Sequence, residues 1–272
     1  MPTETVYGLA ASALDATAVE SIFRAKGRPA SNPLIVHVES EEAARKLARV
    51  WPESASRLAA AHWPGPLTLV VEKSDAIPDI VTAGGPTVGL RVPAHPVALA
   101  LLRTCGLPLA APSANRSEEV SPTTAQHVAD SLGPFVDDLL ILDGGPCQVG
   151  IESTVVDVTG ERPVVLRPGV LALNDVSPPG VSDSEVVRSP GQLLRHYAPK
   201  KPMILVEAGF SPLPTDAILS LPADPAGAAT ILYAELRRWD ADERYTRIVA
   251  HAPPDSPEWD AIRDRLKRAS MR

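Results

Sequence analysis

Residues 23–37 read Phe-Arg-Ala-Lys-Gly-Arg-Pro-Ala-Ser-Asn-Pro-Leu-Ile-Val-His, and this stretch decides the fold class. A helical pattern ends at Lys26, and Gly27 can take the left-handed conformation that closes a helix. Pro29 and Pro33 hold the next residues extended. Residues 34–38 then form an apolar run suited to a buried strand. Lys26, Arg28, Ser31, Asn32 and His37 therefore crowd one helix-to-strand turn. Two fixed cations beside polar donors suit a phosphate or a carboxylate. Taken alone, the same residues also suit a plain solvated basic turn.

Working outward, Asp15 is placed to cap a helix over 16–26, with Val19, Ile22 and Phe23 on one face. Ser40 caps the next helix, whose first turn carries Glu41 and Glu42. A further helical stretch runs to His62, broken by Trp63-Pro64-Gly65-Pro66. Strands are expected at 67–71, 87–92, 107–111, 138–142, 153–158 and 164–166. A helix starts at His95-Pro96 and ends at Gly106, and another starts at Ser121-Pro122 with Ser121 as its cap. Helices and strands mix irregularly, which predicts an α/β domain with a mixed sheet rather than a strict βαβ repeat. Residues 171–200 lack a period and read as a linker. Beyond them come strands at 203–206 and 247–250, a helix at 228–239, and a last helix capped at Ser256-Pro257. The expected division is a domain over 1–170, a linker over 171–200, and a small α/β domain over 201–272.

The chain has 272 residues, 44% of them hydrophobic, which suffices for one large domain or a large and a small one. A net charge of −7 argues against a dedicated nucleic-acid binder but leaves room for a local basic cleft. Cys105 and Cys147 make neither a disulfide framework nor a metal spacing, so a reducing cytoplasmic compartment is expected. The sequence reads without a signal peptide or an apolar run long enough to span a bilayer. It carries no Walker A loop, dinucleotide fingerprint, HExxH or CxxC.

Polar clusters recur at the ends of expected strands: Thr3, Thr5 and Tyr7; Thr87 and Arg91; Ser113 and Asn115; Glu152, Ser153 and Thr154; and Arg167. Open α/β sheets place ligands at such ends. Each cluster has a plain reading too. Arg91 could be a surface strand residue paired to an acid, Ser113 and Asn115 ordinary turn residues, and His37 a satisfied core histidine. Their recurrence favours a site.

Seven motifs occur in order: residues 2–9 (PTETVYGL), 26–37 (KGRP and NPLIVH), 63–68 (WPGPLT), 88–93 (VGLRVP), 111–117 (APSANRS), 150–156 (GIESTVV) and 166–169 (LRPG). Together they resemble the YrdC-like family, and within it the two-domain L-threonylcarbamoyladenylate synthases. Residues 190–199 (PGQLLRHYAP) resemble that family's linker, and 232–240 with 261–269 its C-terminal domain. The resemblance implies a YrdC-like twisted mixed sheet with flanking helices. It implies condensation of L-threonine, bicarbonate or CO2, and ATP into threonylcarbamoyl-AMP and pyrophosphate. A separate transferase complex would then modify tRNA.

Carried over by motif, Thr5, His37, Arg91, the backbone of Ala111 and Ser153 would hold threonine. Arg28, Asn32, Thr87, Ser113, Ser121, Arg167 and Tyr197 would hold ATP. Lys26 and Arg28 would supply charge at the phosphates, and Mg2+ would accompany the nucleotide without a protein-built metal site. Weak RNA contact and no membrane partner are expected. The alternatives are a carbamoyl-adenylate-forming domain of the hydrogenase-maturation type and a non-catalytic RNA-binding module. Three departures stand out. Family members usually carry a helix and a strand before the first motif, so a misplaced start codon or a missing sheet strand is expected. Glu118 stands where a glycine is usual, and the tail reads as shortened near 207–225.

Overall fold

Asp15 accepts hydrogen bonds from the backbone N–H groups of Thr17 and Ala18, and Gly27 (φ 60°) ends the helix it starts. The computed structural model describes residues 1–173, 176–178, 197–207 and 209–271. The strands β1 (Ala11–Ser12), β2 (Ile35–His37), β3 (Leu67–Glu72), β4 (Thr87–Arg91), β5 (Leu109–Ala110), β6 (Thr154–Asp157) and β7 (Val164–Arg167) form one sheet. Its order is β1-β5-β2-β4-β3-β6-β7. β2/β4 and β3/β6 pair parallel and the other neighbours antiparallel, so the sheet is mixed as expected.

Helices α1 (Ala16–Lys26), α2 (Glu41–Arg45), α3 (Glu53–His62), α4 (Asp79–Thr82), α5 (Pro96–Cys105) and α6 (Ala125–Leu132) flank it. Val19, Ile22 and Phe23 of α1 share one apolar cluster with Val36, Leu67, Leu69, Val71 and Leu90 of the sheet. Ala98 and Leu102 of α5 pack on Leu109 and Ala111. Val128 and Leu132 of α6 pack on Tyr7 and Ala114.

A second sheet, β8 (Met203–Val206), β9 (Asp216–Leu219) and β10 (Arg247–His251), runs all-parallel in the order β8-β10-β9. Helices α7 (Pro225–Ala241) and α8 (Asp260–Ala269) pack on it through Leu232, Leu236, Ile262 and Leu266. The same cluster contains Val6, Val120 and Ile151, so this unit is docked on the larger sheet's loops.

Several expectations need correction. Thr124, not Ser121, caps α6, accepting from the N–H of His127 at 3.2 Å. The 138–142 stretch is not a strand; Leu140 is 82% exposed and has no sheet to join. The strand expected at 107–111 narrows to Leu109–Ala110, because Pro108 and Pro112 lack the N–H that a ladder needs. Ser256 precedes a short 3-10 turn, Pro257–Trp259, and makes no side-chain cap. β9 lies inside the stretch read as shortened, and β1 and α4 were not anticipated. Most of the expected linker, residues 174–175 and 179–196, lies outside the described residues.

Candidate functional site

β2 and β4 run parallel with His37 opposite Arg91, so both side chains stand at the same end of the sheet. β5 ends beside them, and β6 and β7 bring Ser153 and Arg167 to the same edge. The segment ahead of β1 closes over these ends. Tyr7 N–H donates to Pro122 O at 2.9 Å and Ala114 N–H to Tyr7 O at 2.8 Å, tying the 2–9 motif to the Ser113–Asn115 turn. The result is a cavity of about 50 Å3 lined by Thr5, Arg28, His37, Arg91, Ala111, Ser113, Glu152, Ser153, Arg167 and Tyr197, among others.

Arg91 is 3% exposed and engaged on three sides. Its Nε donates to Gly65 O at 3.2 Å, Nη1 to Thr5 Oγ1 at 2.9 Å, and Nη2 to Glu4 Oε1 at 2.6 Å. Glu4 Oε2 accepts from the N–H of Ala94 at 3.1 Å, so this carboxylate is fixed on both oxygens. The expectation of an acid partner for Arg91 holds, although the pair is buried rather than at the surface. His37 is buried with Nδ1 unpartnered. Burial, then the Arg91 charge, lowers its pKa to about 3, so the ring is neutral. Ala111 spends its N–H on Ile35 O at 3.0 Å, so its carbonyl is the backbone group it can offer.

The same lining carries two further guanidinium groups, those of Arg28 and Arg167. Arg28 donates from Nε to Asn32 O at 3.0 Å and from Nη2 to Pro33 O at 2.8 Å. These acceptors are neutral, so they orient the guanidinium without cancelling its charge. Burial, together with the charge of Arg167, lowers the pKa of Arg28 to about 10. Arg167 donates to Ser153 O through Nε (3.1 Å) and Nη2 (3.0 Å), and to Ser153 Oγ at 3.1 Å. Ser153 Oγ also lies 2.7 Å from Thr68 Oγ1. Tyr197 is buried in the wall with φ 61°, a left-handed conformation unusual for an aromatic residue.

Four expected site residues lie outside the cavity lining. Lys26 is buried under the Ser113–Asn115 turn, its Nζ donating to Ser113 O and Asn115 O, each at 2.5 Å. Burial and the Arg28 charge push its pKa well down. Here it fixes the turn from behind. Asn32 is buried, and neither its Nδ2 nor its Oδ1 has a hydrogen-bond partner, an arrangement that favours an incoming polar ligand. Ser121 is fully buried and donates to Glu152 Oε1 at 2.6 Å, one layer behind the wall. Thr87 stands at the opposite end of β4 from Arg91, about 13 Å along the strand.

Glu4 and Glu152 are the groups that motif reading left without a role. A buried guanidinium on an apolar strand demands a carboxylate. That demand was the available signal for Glu4. Glu152 Oε2 accepts from Tyr233 Oη at 2.8 Å and lies 3.3 Å from Arg265 Nε, both in the second unit. Nothing in local spacing points to partners that distant.

Fold and site together define an α/β protein with a cavity lined by guanidinium groups at the strand ends of a mixed sheet. The family model for Sua5/YciO/YrdC proteins, described as "Telomere recombination", matches residues 1–169, and the chain belongs to that family. A model described as "Threonylcarbamoyl-AMP synthase, C-terminal domain" matches residues 164–214 and 211–271. Threonylcarbamoyl-AMP synthase of Pyrococcus abyssi is 49% identical over 216 residues, covering 76% of this chain and 63% of that protein. The Bacillus subtilis protein of the same name is 46% identical, covering 76% and 62%. The chain thus spans about three-fifths of the length of these curated relatives. A crystal structure of P. abyssi Sua5 complexed with L-threonine superposes with a TM-score of 0.89 at 37% identity, covering 99% of this chain and 89% of that one.

Proposed function

We propose that the chain is an L-threonylcarbamoyladenylate synthase, joining L-threonine, bicarbonate or CO2, and ATP into threonylcarbamoyl-AMP with release of pyrophosphate. The observation that carries the reading is the gathering of Thr5, His37, Arg91, Ala111 and Ser153 in the lining of one cavity that also holds Arg28 and Arg167. The relatives' names and the threonine complex of the P. abyssi protein support it. In this reading the first group holds the amino acid. Arg28, Asn32, Ser113, Arg167 and Tyr197 hold the nucleotide, with Ser121 and Thr87 further out. Residues 1–170 form the catalytic domain, 171–200 the linker and 201–272 the small domain.

The chemistry asks for no protein nucleophile. The threonine amine attacks CO2 to give an N-carboxylate. That carboxylate attacks the α-phosphorus, and pyrophosphate leaves. The protein's part is to hold two mutually repelling anions in line and to offset charge on the leaving group. Arg28 and Arg167 are placed for the second task, and Arg91 for the threonine carboxylate. Mg2+ enters as part of the ATP substrate. Glu152, in the cavity lining, and Glu4, paired with Arg91, are committed to other partners and make a poor protein cage for a metal. The product would pass to a tRNA-modifying transferase. The unpaired Cys105 and Cys147 suit a cytoplasmic setting. No helix among the described residues is long and apolar enough to cross a membrane.

The hydrogenase-maturation and RNA-module readings have no comparable support among the relatives named above. Calorimetry tests the assignment. L-threonine and ATP should each bind; Arg28→Ala should weaken ATP at least tenfold and Arg91→Ala threonine at least tenfold, as expected for loss of a charge-assisted pair. Binding of neither ligand would overturn the assignment, and the reverse pattern would overturn the division of roles.

A further inference from the structure

Glu152 is a buried carboxylate in the wall of a cavity read as an anion site. Left alone, it would repel a polyphosphate and bind the very cations meant for it. Four polar groups from both units act on it. Ser121 Oγ donates to Oε1 at 2.6 Å, and Tyr233 Oη, on α7, donates to Oε2 at 2.8 Å. Arg265 Nε, on α8, lies 3.3 Å from the same oxygen, and the charge of Arg167 acts from the cavity side. Burial alone would raise the Glu152 pKa, but Arg265, Arg167 and the two hydroxyls outweigh it and hold the group below the usual carboxylate range. It is therefore an anion in the folded protein.

Arg265 is itself fully enclosed, with a side-chain exposure of 0%. Its Nη1 donates to Pro168 O at 2.7 Å and lies 3.1 Å from Asp264, which also pairs with Arg268 at 2.8 Å. Its guanidinium lies 5.4 Å from the centre of the Tyr197 ring, and Tyr197 in turn stacks on Tyr233 at 5.7 Å. One side chain from the second unit thus touches the Glu152 carboxylate, the backbone just after Arg167, and the aromatic wall of the cavity.

We propose that Arg265 is a positioning residue that cancels the Glu152 charge from behind, so that the cavity wall stays electropositive toward the triphosphate and the departing pyrophosphate. The second unit then contributes to anion binding without touching the ligand. This rests on the nucleotide reading of the cavity. A role confined to docking the two units together makes a different forecast, because neutralising Glu152 would then not rescue the loss of Arg265.

The test uses the full chain and two probes, ATP and inorganic pyrophosphate, by calorimetry, with thermal melting as a control for folding. Arg265→Met keeps the stem and removes the charge; affinity for both probes should fall about tenfold, the size of one uncompensated charge acting across a partly buried site. Glu152→Gln should bind both probes as tightly as the parent or more tightly. The double variant should match the parent within about twofold, since it removes both members of the pair and restores the parent's net charge behind the wall. That comparison holds even where Arg265→Met alone folds poorly. A double variant about tenfold weaker than the parent, or a Glu152→Gln chain that loses pyrophosphate affinity, would overturn the proposal. A parent chain that binds neither probe would overturn the nucleotide reading, and this inference with it.

Discussion

Arg91 shows how far a single residue can be read. The apolar run before it and the strand end beneath it were legible in the sequence, and so was its need for an acid. The acid's identity was not, because Glu4 lies 87 positions away and reaches it only when the 2–9 segment folds over the strand ends. His37 is the sharper case at this scale. Its ring sits opposite Arg91 in register and near the Met1 ammonium, with Nδ1 unpartnered. The folded protein resists protonating it, with a pKa of about 3 against about 6.5 unfolded. Between those values the unfolded chain binds more protons, so stability is complete above pH 6.5 and is lost as pH falls toward 3. By pH 4 this residue alone removes about 3 kcal/mol. Melting curves from pH 7 to 4 should show His37→Gln losing less stability than the parent; parallel curves would refute the assignment.

The turn from Ala114 to Ser121 carries the lesson of the element scale. Sequence reading placed a helix cap at Ser121, since Ser-Pro is a common helix start. The structure instead buries that hydroxyl against Glu152 and starts α6 three residues later at Thr124. Tertiary demand from a buried carboxylate overrode a local signal. The same turn explains the departure at Glu118, which adopts φ 69°, a conformation that costs a non-glycine residue roughly 1 kcal/mol. Its carbonyl accepts from the N–H of Ala198 at 2.8 Å, so the strained turn holds the residue next to Tyr197. The exposed Glu118 side chain makes no hydrogen bond or ion pair among the described residues. Glu118→Gly should leave ligand binding intact and raise stability by about 0.5 kcal/mol, the strain relief being partly offset by a more flexible unfolded chain. A denaturant midpoint shifted clearly downward would show that the side chain contributes more than its geometry suggests.

At the scale of the molecule, two sheets meet where α7 and α8 press on the loops of the larger one. Gly150 (φ 83°) marks the contact: a Cβ there would sit 2.4 Å from Ala229 O and 2.5 Å from Thr230 O on α7. Tyr233, Arg265 and Tyr197 then join the interface to the cavity. The mixed sheet, its strand ends and most cavity residues followed from the motifs, because each is a short-range pattern of turn and strand residues. The interface did not, because it depends on side chains 80 to 120 positions apart whose spacing carries no local period. β9 escaped for a related reason: it is four residues long, with an aspartate first.

In the proposed reaction two anions are held in one cavity so that one attacks the other. Incubating the chain with ATP, L-threonine and 13C-labelled bicarbonate, followed by mass spectrometry of the nucleotides, tests it most directly. The expected result is an adenylate bearing threonine and one labelled carbon, formed together with pyrophosphate and absent when either threonine or bicarbonate is withheld. Pyrophosphate released without bicarbonate, or an adenylate without the label, would contradict it.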